Sequence, residues 1–471
     1  MNKNIYSLKN LFLLFISFYS TQLFAQDVTN TFNNAYKKFA ADKAFKHATI
    51  SLLVINNTTG KTVTSVNTET GLAPASCQKV ITACTSFELL GHNFIYKTIL
   101  GYTGKIVNGV LDGDIIIKGS GDPTLGSWRY PETAEESIIS EFKQAISREG
   151  ITEITGHVYA DESAWKGEVI PDGWIWEDIG NYYGAGARAL NWRENQYDLF
   201  LKSGNKIGDT LQYVNNTPPF IDGLNFKIMA TSAAKGSGDN SYIYIPENNK
   251  ETYVRGTIPI DENHFSISGS MPHPQTQLAI TLEAALKKMP VESIAMNHPA
   301  FQHNTNGLNN FYSHQSPNLD SIIYWFLQRS INLYGESLIK TLAYHFTNVG
   351  ATDSGVNIIK NFWSKKGIEP SAINIIDGSG LSPANRVTTK TLVSVMQYAR
   401  KRDWFPSFYN ALPDINGIKM KSGSISDVLS YTGFIKSKKN IDYTFSFIIN
   451  NYDGNANDVR KKMWALLDLL K

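Results

Sequence analysis

The sequence predicts a mixed α/β, multi-domain protein, and three observations support this. Its 471 residues exceed what one hydrophobic core comfortably organises, so two or more domains, or one domain with a large insertion, are expected. Helical and strand periods gather at both ends of the chain. The middle, roughly residues 96–304, is instead rich in short strands, Gly and turn dipeptides, as in "LDGDIIIKGSGDPTLGS" and "GITEITGHVYADESAW". Together they give a discontinuous mixed domain from residues 26–95 plus 305–471, interrupted at 96–304 by a mostly-β insertion of two subdomains. No fixed-period repeat is present, and 42% apolar with 18% charged residues is an ordinary globular composition.

The elements follow from local pattern. A helical period near residues 28–44 precedes "ATISLLVINNTTGKTVTSVNTETGLAP", which alternates like two strands joined by the turn "NTTGK". "APASCQKVITACTSFELLG", residues 73–91, reads as a helix, with Pro74 suited to its start and Gly91 to its end. Residues 305–400 are helical, and "SIIYWFLQRSINLYGESLIKTLAYHF" is the longest such run. Near the C-terminus, "GIKMKSGSIS", "LSYTGFIKSKK" and "IDYTFSFIINN" read as three strands and "NDVRKKMWALLDLLK" as a last helix. Val459, Met463, Leu466, Leu467 and Leu470 share one face of that helix. The opposite face has too few cations for a lipid-surface helix, so packing on the sheet is expected.

Residues 1–25 have the order of a secretory signal peptide: Lys3 and Lys9, the apolar run "LFLLFISFYS", then Ala25 before Gln26. The run is too short to span a bilayer and no later segment approaches about 20 apolar residues. An exported, periplasmic protein without a transmembrane segment is expected. Removing the leader takes away two lysines and no acids, so the formal charge falls from +2 to zero. A neutral chain whose basic clusters, "ARKRDW" and "VRKKMW", are short gives no basis for a nucleic-acid partner. Cys77 and Cys84 are the only cysteines. On one helix their backbones would stand about 10 Å apart, too far for a disulfide, so both are expected as small packing residues.

Three short motifs carry chemistry. In "SCQK", Ser76 and Lys79 are three positions apart and can share a helix face. A serine hydroxyl attacks only once a base takes its proton, and a lysine is that base only where burial or a neighbouring cation lowers its pKa. A helix N-terminus beside the serine also offers free N–H groups to a developing oxyanion. SxxK alone is a weak signal. "QRSINLYGE" adds Ser330 and Asn332, and "KMKSGSIS" adds Lys421, Ser422 and Gly423 on a strand expected to be central, the glycine leaving room for a ligand against the backbone. SxxK, SxN and KTG-like motifs in that order belong together in penicillin-recognising serine enzymes.

With these motifs, and with "KGSGDPTLGS", "IWEDIGNYYGAGARALNWRENQYDL", "IDGSGLSPANRVTT" and "KSGSISDVLSYTGFI", nearly the whole mature chain resembles the class C low-molecular-mass penicillin-binding proteins, a D-alanyl-D-alanine carboxypeptidase/endopeptidase family. The resemblance implies a transpeptidase-like domain with an antiparallel five-stranded sheet flanked by helices. It implies Ser76 as nucleophile, Lys79 as its base, and Ser330 as proton relay to the leaving amine. It also implies Asn332 on the substrate amide, Lys421 and Ser422 on the terminal carboxylate, and the N–H groups of Ser76 and Ser424 as oxyanion hole beside Gly423. The partners implied are peptidoglycan stem peptides and β-lactam antibiotics, and the chemistry needs neither metal nor organic cofactor. Two departures stand out: Ile331 replaces the usual acid of SDN, and Ser422 the usual threonine of KTG. The working hydroxyls and amide survive both. Asp161 in "YADESAW" has two readings, recognition of an amino group on the stem peptide or a plain turn acid.

Other readings compete. A serine β-lactamase shares the same five side chains, but the interval of 254 residues from Ser76 to Ser330 leaves room for domains that a compact β-lactamase lacks. The "EDIGN" match that would supply a deacylating Glu177 precedes the SxN motif instead of following it. A non-catalytic cell-wall scaffold would be expected to have lost one of the five. The glycines of "KGSGDPTLG" have the wrong spacing for a dinucleotide site, and "HPAFQH" is too loose for a metal site. "WIWEDIGNYY" suggests a sugar platform or, more simply, an aromatic core or interface.

Overall fold

The computed structural model describes residues 28–246, 251–299 and 307–471. The leader read at 1–25 and part of "HPAFQH" lie outside the described residues. The chain divides into two compact units, one of residues up to 80 with 368–374 and 385–471, the other of residues 81–367 with 375–384.

The first unit is built on one antiparallel sheet. Its strand order is Asp414–Ile415, Ile418–Ile425, Val428–Lys436, Asp442–Asn450, Thr49–Asn56, Thr62–Val66. The two N-terminal strands and the three C-terminal ones are those the sequence pattern marks. The sheet has six strands where five were expected, because the two-residue piece Asp414–Ile415 adds an outermost rung. A second difference matters more for function. The strand Ile418–Ile425 was expected to be central, but Asp414–Ile415 covers only its first residues, so from Lys421 onward it is the sheet's edge.

One face of the sheet is oily and the other polar. Leu52, Val54, Met420, Tyr431, Phe445 and Phe447 pack with Phe32 from the helix at 28–40 and with Val459, Met463 and Leu466 from the helix Ala456–Leu467. Truncating Phe445 or Phe447 to alanine would cost about 3–5 kcal/mol, a large share of the roughly 5–15 kcal/mol that holds a domain together. The opposite face carries Ser51, Ser430, Thr432, Thr444 and Ser446, all buried. These hydroxyls are paired: Thr432 with Ser446 at 2.8 Å, and Ser51 with Thr389, at the start of the helix Thr389–Ala399, at 2.7 Å.

The second unit contains two separate β cores. One surrounds the sheet Asn309–Gln315, Lys97–Tyr102, Ile115–Lys118, Val158–Asp161, with Leu100, Ile117, Phe142 and Leu282 at its centre. The other gathers Tyr197, Leu199, Val254 and Ile258. Two 14-residue helices, Glu135–Arg148 and Pro274–Lys287, sit within the stretch read as mostly β. The first was legible, since Ile138, Phe142, Ala145 and Ile146 are its buried residues at helical spacing. The long helical run of the sequence is broken into Leu319–Gln328 and Asn332–Thr347. Ser330 ends the first segment with φ +57°, the left-handed closure more often given to Gly or Asn. Among the described residues no helix is long and apolar enough to cross a membrane.

Candidate active site

Ser76 sits in a single 3₁₀ turn, Ala75–Gln78, and the α-helix begins only at Lys79. Every residue from Leu72 to Val80 is buried except Ser76, so the turn presents one side chain. Ala75 precedes it with φ +45°. That left-handed conformation costs a non-glycine residue about 1–2 kcal/mol, the kind of strain held at functional turns. The Lys79 side chain is fully buried and its Nζ donates to Ser76 Oγ at 2.9 Å. The side-by-side placement of Ser76 and Lys79 expected from their spacing is therefore present.

The KSG strand walls this turn. Ser430 on the neighbouring strand donates to the Pro74 carbonyl at 2.6 Å, and the Cys77 thiol to the Lys421 carbonyl at 3.1 Å. Gly423 faces Ser430 across the ladder. A Cβ on Gly423 would lie 2.7 Å from the Pro74 oxygen and 2.8 Å from the Ser76 nitrogen, so no side chain fits there. The glycine is needed for closeness rather than for a special backbone angle. Sequence reasoning missed Ser430. The available signal was a hydroxyl at a strand position of the same parity as Thr432.

Strand parity separates the KSG residues. Lys421 pairs with Thr432 and Gly423 with Ser430, on the polar face, whereas Ser422 pairs with Tyr431 and Ser424 with Leu429, on the oily face. Ser424 is exposed and Ser422 half-buried. Their backbones are oriented otherwise. The Met420 N–H leaves the ladder to bond the Pro413 carbonyl at 3.0 Å, and alternation points the N–H groups of Ser422 and Ser424 the same way, toward the open edge. Lys421 is buried with its Nζ donating to the Ser422 carbonyl at 2.7 Å, and burial pushes its ammonium down to about 8. Cys77 and Cys84 are free and buried, as their spacing led us to expect.

Ser330 and Asn332 belong to the second unit. Ser330 is half-buried in the break between two helices. Asn332 opens the second helix, is buried, and donates its Nδ2 to the Tyr183 carbonyl at 2.8 Å. That bond fixes the amide's rotamer. Asp161 is buried as well, and its Oδ1 accepts the Ser163 N–H at 2.8 Å, which is what a turn acid does. Glu177 lies exposed on the short helix Trp176–Ile179. The "WIWEDIGNYY" cluster is not one core: Trp174 is buried, whereas Ile175, Trp176 and Tyr182 are exposed. Among the described residues no three His, Cys, Asp or Glu side chains gather to hold a metal ion.

The fold is one already known from a penicillin-binding protein. Superposition on the crystal structure of penicillin-binding protein 4 (dacB) from Haemophilus influenzae gives a TM-score of 0.73 at 21% identity, covering 90% of this chain and 97% of that one. The same protein complexed with a novel β-lactam matches with a TM-score of 0.67 at 21% identity, over 90% and 97% of the two chains. In sequence, D-alanyl-D-alanine carboxypeptidase DacB from Haemophilus influenzae is 24% identical over 449 residues, 90% of this chain and 89% of that protein. The chain belongs to the D-Ala-D-Ala carboxypeptidase 3 (S13) family, whose profile matches residues 32–417. It is a serine-type hydrolase of that carboxypeptidase class.

Proposed function

We propose that the protein removes the terminal D-Ala of peptidoglycan stem peptides, and cleaves D-Ala-containing cross-links, through an acyl-enzyme on Ser76. The single observation that carries this reading is the buried Lys79 amine at 2.9 Å from Ser76 Oγ. An uncharged amine there accepts the hydroxyl proton as Oγ bonds to the D-Ala carbonyl carbon. The tetrahedral oxyanion is held by the Ser76 N–H and by the Ser424 N–H on the open edge of the KSG strand. Collapse breaks the amide C–N bond, Ser330 passes a proton to the departing amine, and D-Ala or a cross-linked D-residue leaves. Water then hydrolyses the ester.

Binding falls to three groups. Asn332, with its rotamer fixed, takes the substrate amide. The Lys421 ammonium takes the terminal carboxylate, a charge-assisted contact, and Ser422, whose side chain leaves the other face of the strand, meets the same carboxylate from the open edge, where its N–H points. The buried Asp161 carboxylate, bonded to the Ser163 N–H, supports the turn role over contact with a substrate amino group. Export to the periplasm rests on the leader pattern of residues 1–25, and N-terminal sequencing of the exported protein is expected to begin at Gln26.

A fluorescent penicillin is expected to label the protein covalently with slow release, and Ser76→Ala is expected to abolish the label. Fast turnover would instead indicate a β-lactamase, and absence of label a scaffold. Mass analysis of monomeric and cross-linked muropeptides after incubation separates the two peptidase activities. Change in the monomers alone would remove the cross-link cleavage from this reading.

A further inference from the structure

The segment 375–384 is not used by the mechanism above, yet the backbone of one of its residues, Gly378, touches both catalytic helices within the second unit. The Gly378 carbonyl accepts the Thr82 hydroxyl at 2.6 Å, and the Gly378 N–H donates to Glu336, 3.1 Å from Oε1 and 3.0 Å from Oε2. Thr82 lies three residues beyond Lys79, and Glu336 four beyond Asn332. Each is thus about one turn along its helix, on the face that carries the functional residue. We propose that the Gly378 backbone is a spacer setting the separation of the two catalytic helices, and that Thr82 and Glu336 are positioning residues for the reaction. This rests on the assignment of Lys79 and Asn332 made above.

Three features make the spacer stiff. First, Gly378 is pressed against Gly335 of the second helix. A Cβ on Gly378 would come within 2.3 Å of the Gly335 oxygen, and one on Gly335 within 3.0 Å of the Gly378 oxygen. Both contacts are with backbone, which does not yield as a side chain would. Second, Asp377 locks the turn from inside. Its Oδ1 accepts the Gly380 N–H at 2.8 Å, and its Oδ2 accepts the Ser382 N–H at 2.7 Å and the Trp174 indole N–H at 3.0 Å. Third, Thr82, Glu336 and Asp377 are all fully buried, so water does not compete for these bonds. Burial beside Asp377 pushes the Glu336 carboxyl up to about 8, so the contact is made by a neutral acid at pH 7.

The test measures penicillin acylation per folded molecule in the full-length protein, resolving the binding constant from the limiting acylation rate. Gly378→Ala is expected to lower the limiting rate at least a hundredfold, and Thr82→Val at least tenfold. Thr82→Ser, which keeps the donor, is expected to stay within about threefold of wild type, and Glu336→Gln to fall between. The binding constant should change little in each. Unchanged acylation in Thr82→Val and Gly378→Ala overturns the proposal. So does a loss confined to the binding constant, or a Thr82→Ser variant as slow as Thr82→Val, since either would make these residues packing alone. Failure of the wild-type protein to label at all would sink the catalytic assignment instead.

Discussion

The turn at residues 74–78 and the turn at 329–332 offer the same chemical group in similar local form, but different forces hold them. Each places a serine hydroxyl just before a helix, and each contains a left-handed residue, Ala75 at φ +45° in one and Ser330 at φ +57° in the other. In the first, strain falls on the neighbour of the reactive residue, and the turn is walled by Gly423 and Ser430, more than 340 residues away in sequence. In the second, strain falls on the serine itself, and Asn332 ties the turn to the Tyr183 carbonyl. Ser76 is therefore positioned by steric contact with a distant strand. Ser330 is positioned by its own backbone torsion.

The largest expected effect breaks the first arrangement. Gly423→Ala puts a methyl group 2.4 Å from Ser430 Oγ, 2.7 Å from the Pro74 oxygen and 2.8 Å from the Ser76 nitrogen. Ser430 can rotate away, but the two backbone atoms cannot. A shift of about 1 Å in a reacting group costs roughly a hundredfold, and loss of the oxyanion donor costs a further 10²–10³ or so. Acylation by penicillin is expected to fall by about four to five orders of magnitude while the chain stays folded. A rate within tenfold of wild type would mean that the distant strand does not hold Ser76 in place.

The second turn is tested by two substitutions that differ only in backbone freedom. Ser330→Ala and Ser330→Gly both remove the hydroxyl, so both are expected to slow turnover about 10²-fold, the usual worth of a positioned proton-transfer group. Only glycine adopts φ +57° without penalty. Ser330→Gly is therefore expected to melt higher than Ser330→Ala, by an amount equivalent to about 1 kcal/mol. The reverse order of melting temperatures would show that the torsion is not a constraint on this turn.

These differences also explain what the sequence made legible. The Ser76–Lys79 pairing is a local property, since a spacing of three puts both side chains on one helical face whatever the rest of the chain does. The C-terminal strands and helix were equally readable, because Phe445, Phe447 and Met463 repeat at the periods of their elements. The break at Ser330 was hidden: apolar residues run on from Phe326 and Leu327 to Leu333 and Leu338, and no Gly or Pro marks the stop. The edge position of the KSG strand was hidden too, since strand order in a sheet is set by the whole chain and leaves no mark on "KMKSGSIS". With it went the parity that sends Ser422 and Ser424 to the face opposite Lys421.

The smallest expected effect concerns Lys421, a buried group of the first unit whose charge lies near a physiological titration. Burial holds Lys421 down to about 8, well below its ordinary 10.5. Between these values the unfolded chain binds a proton that the folded chain does not, so this residue's contribution to stability rises as pH climbs from about 8 to 10.5. Recognition runs the other way, because the ammonium that meets a terminal carboxylate is lost over the same window. From pH 7 to pH 9 the protonated fraction of a group at about 8 falls roughly tenfold. The ratio of kcat/KM for a carboxylate-terminated peptide to that for its amide is expected to fall by about the same factor. The amide comparison is needed because Glu336 and Lys340 in the second unit also lie at about 8, and their titration cancels in the ratio. Lys421→Met should give a low ratio that no longer varies with pH. A pH-independent ratio in the wild-type protein would place carboxylate binding elsewhere than on Lys421.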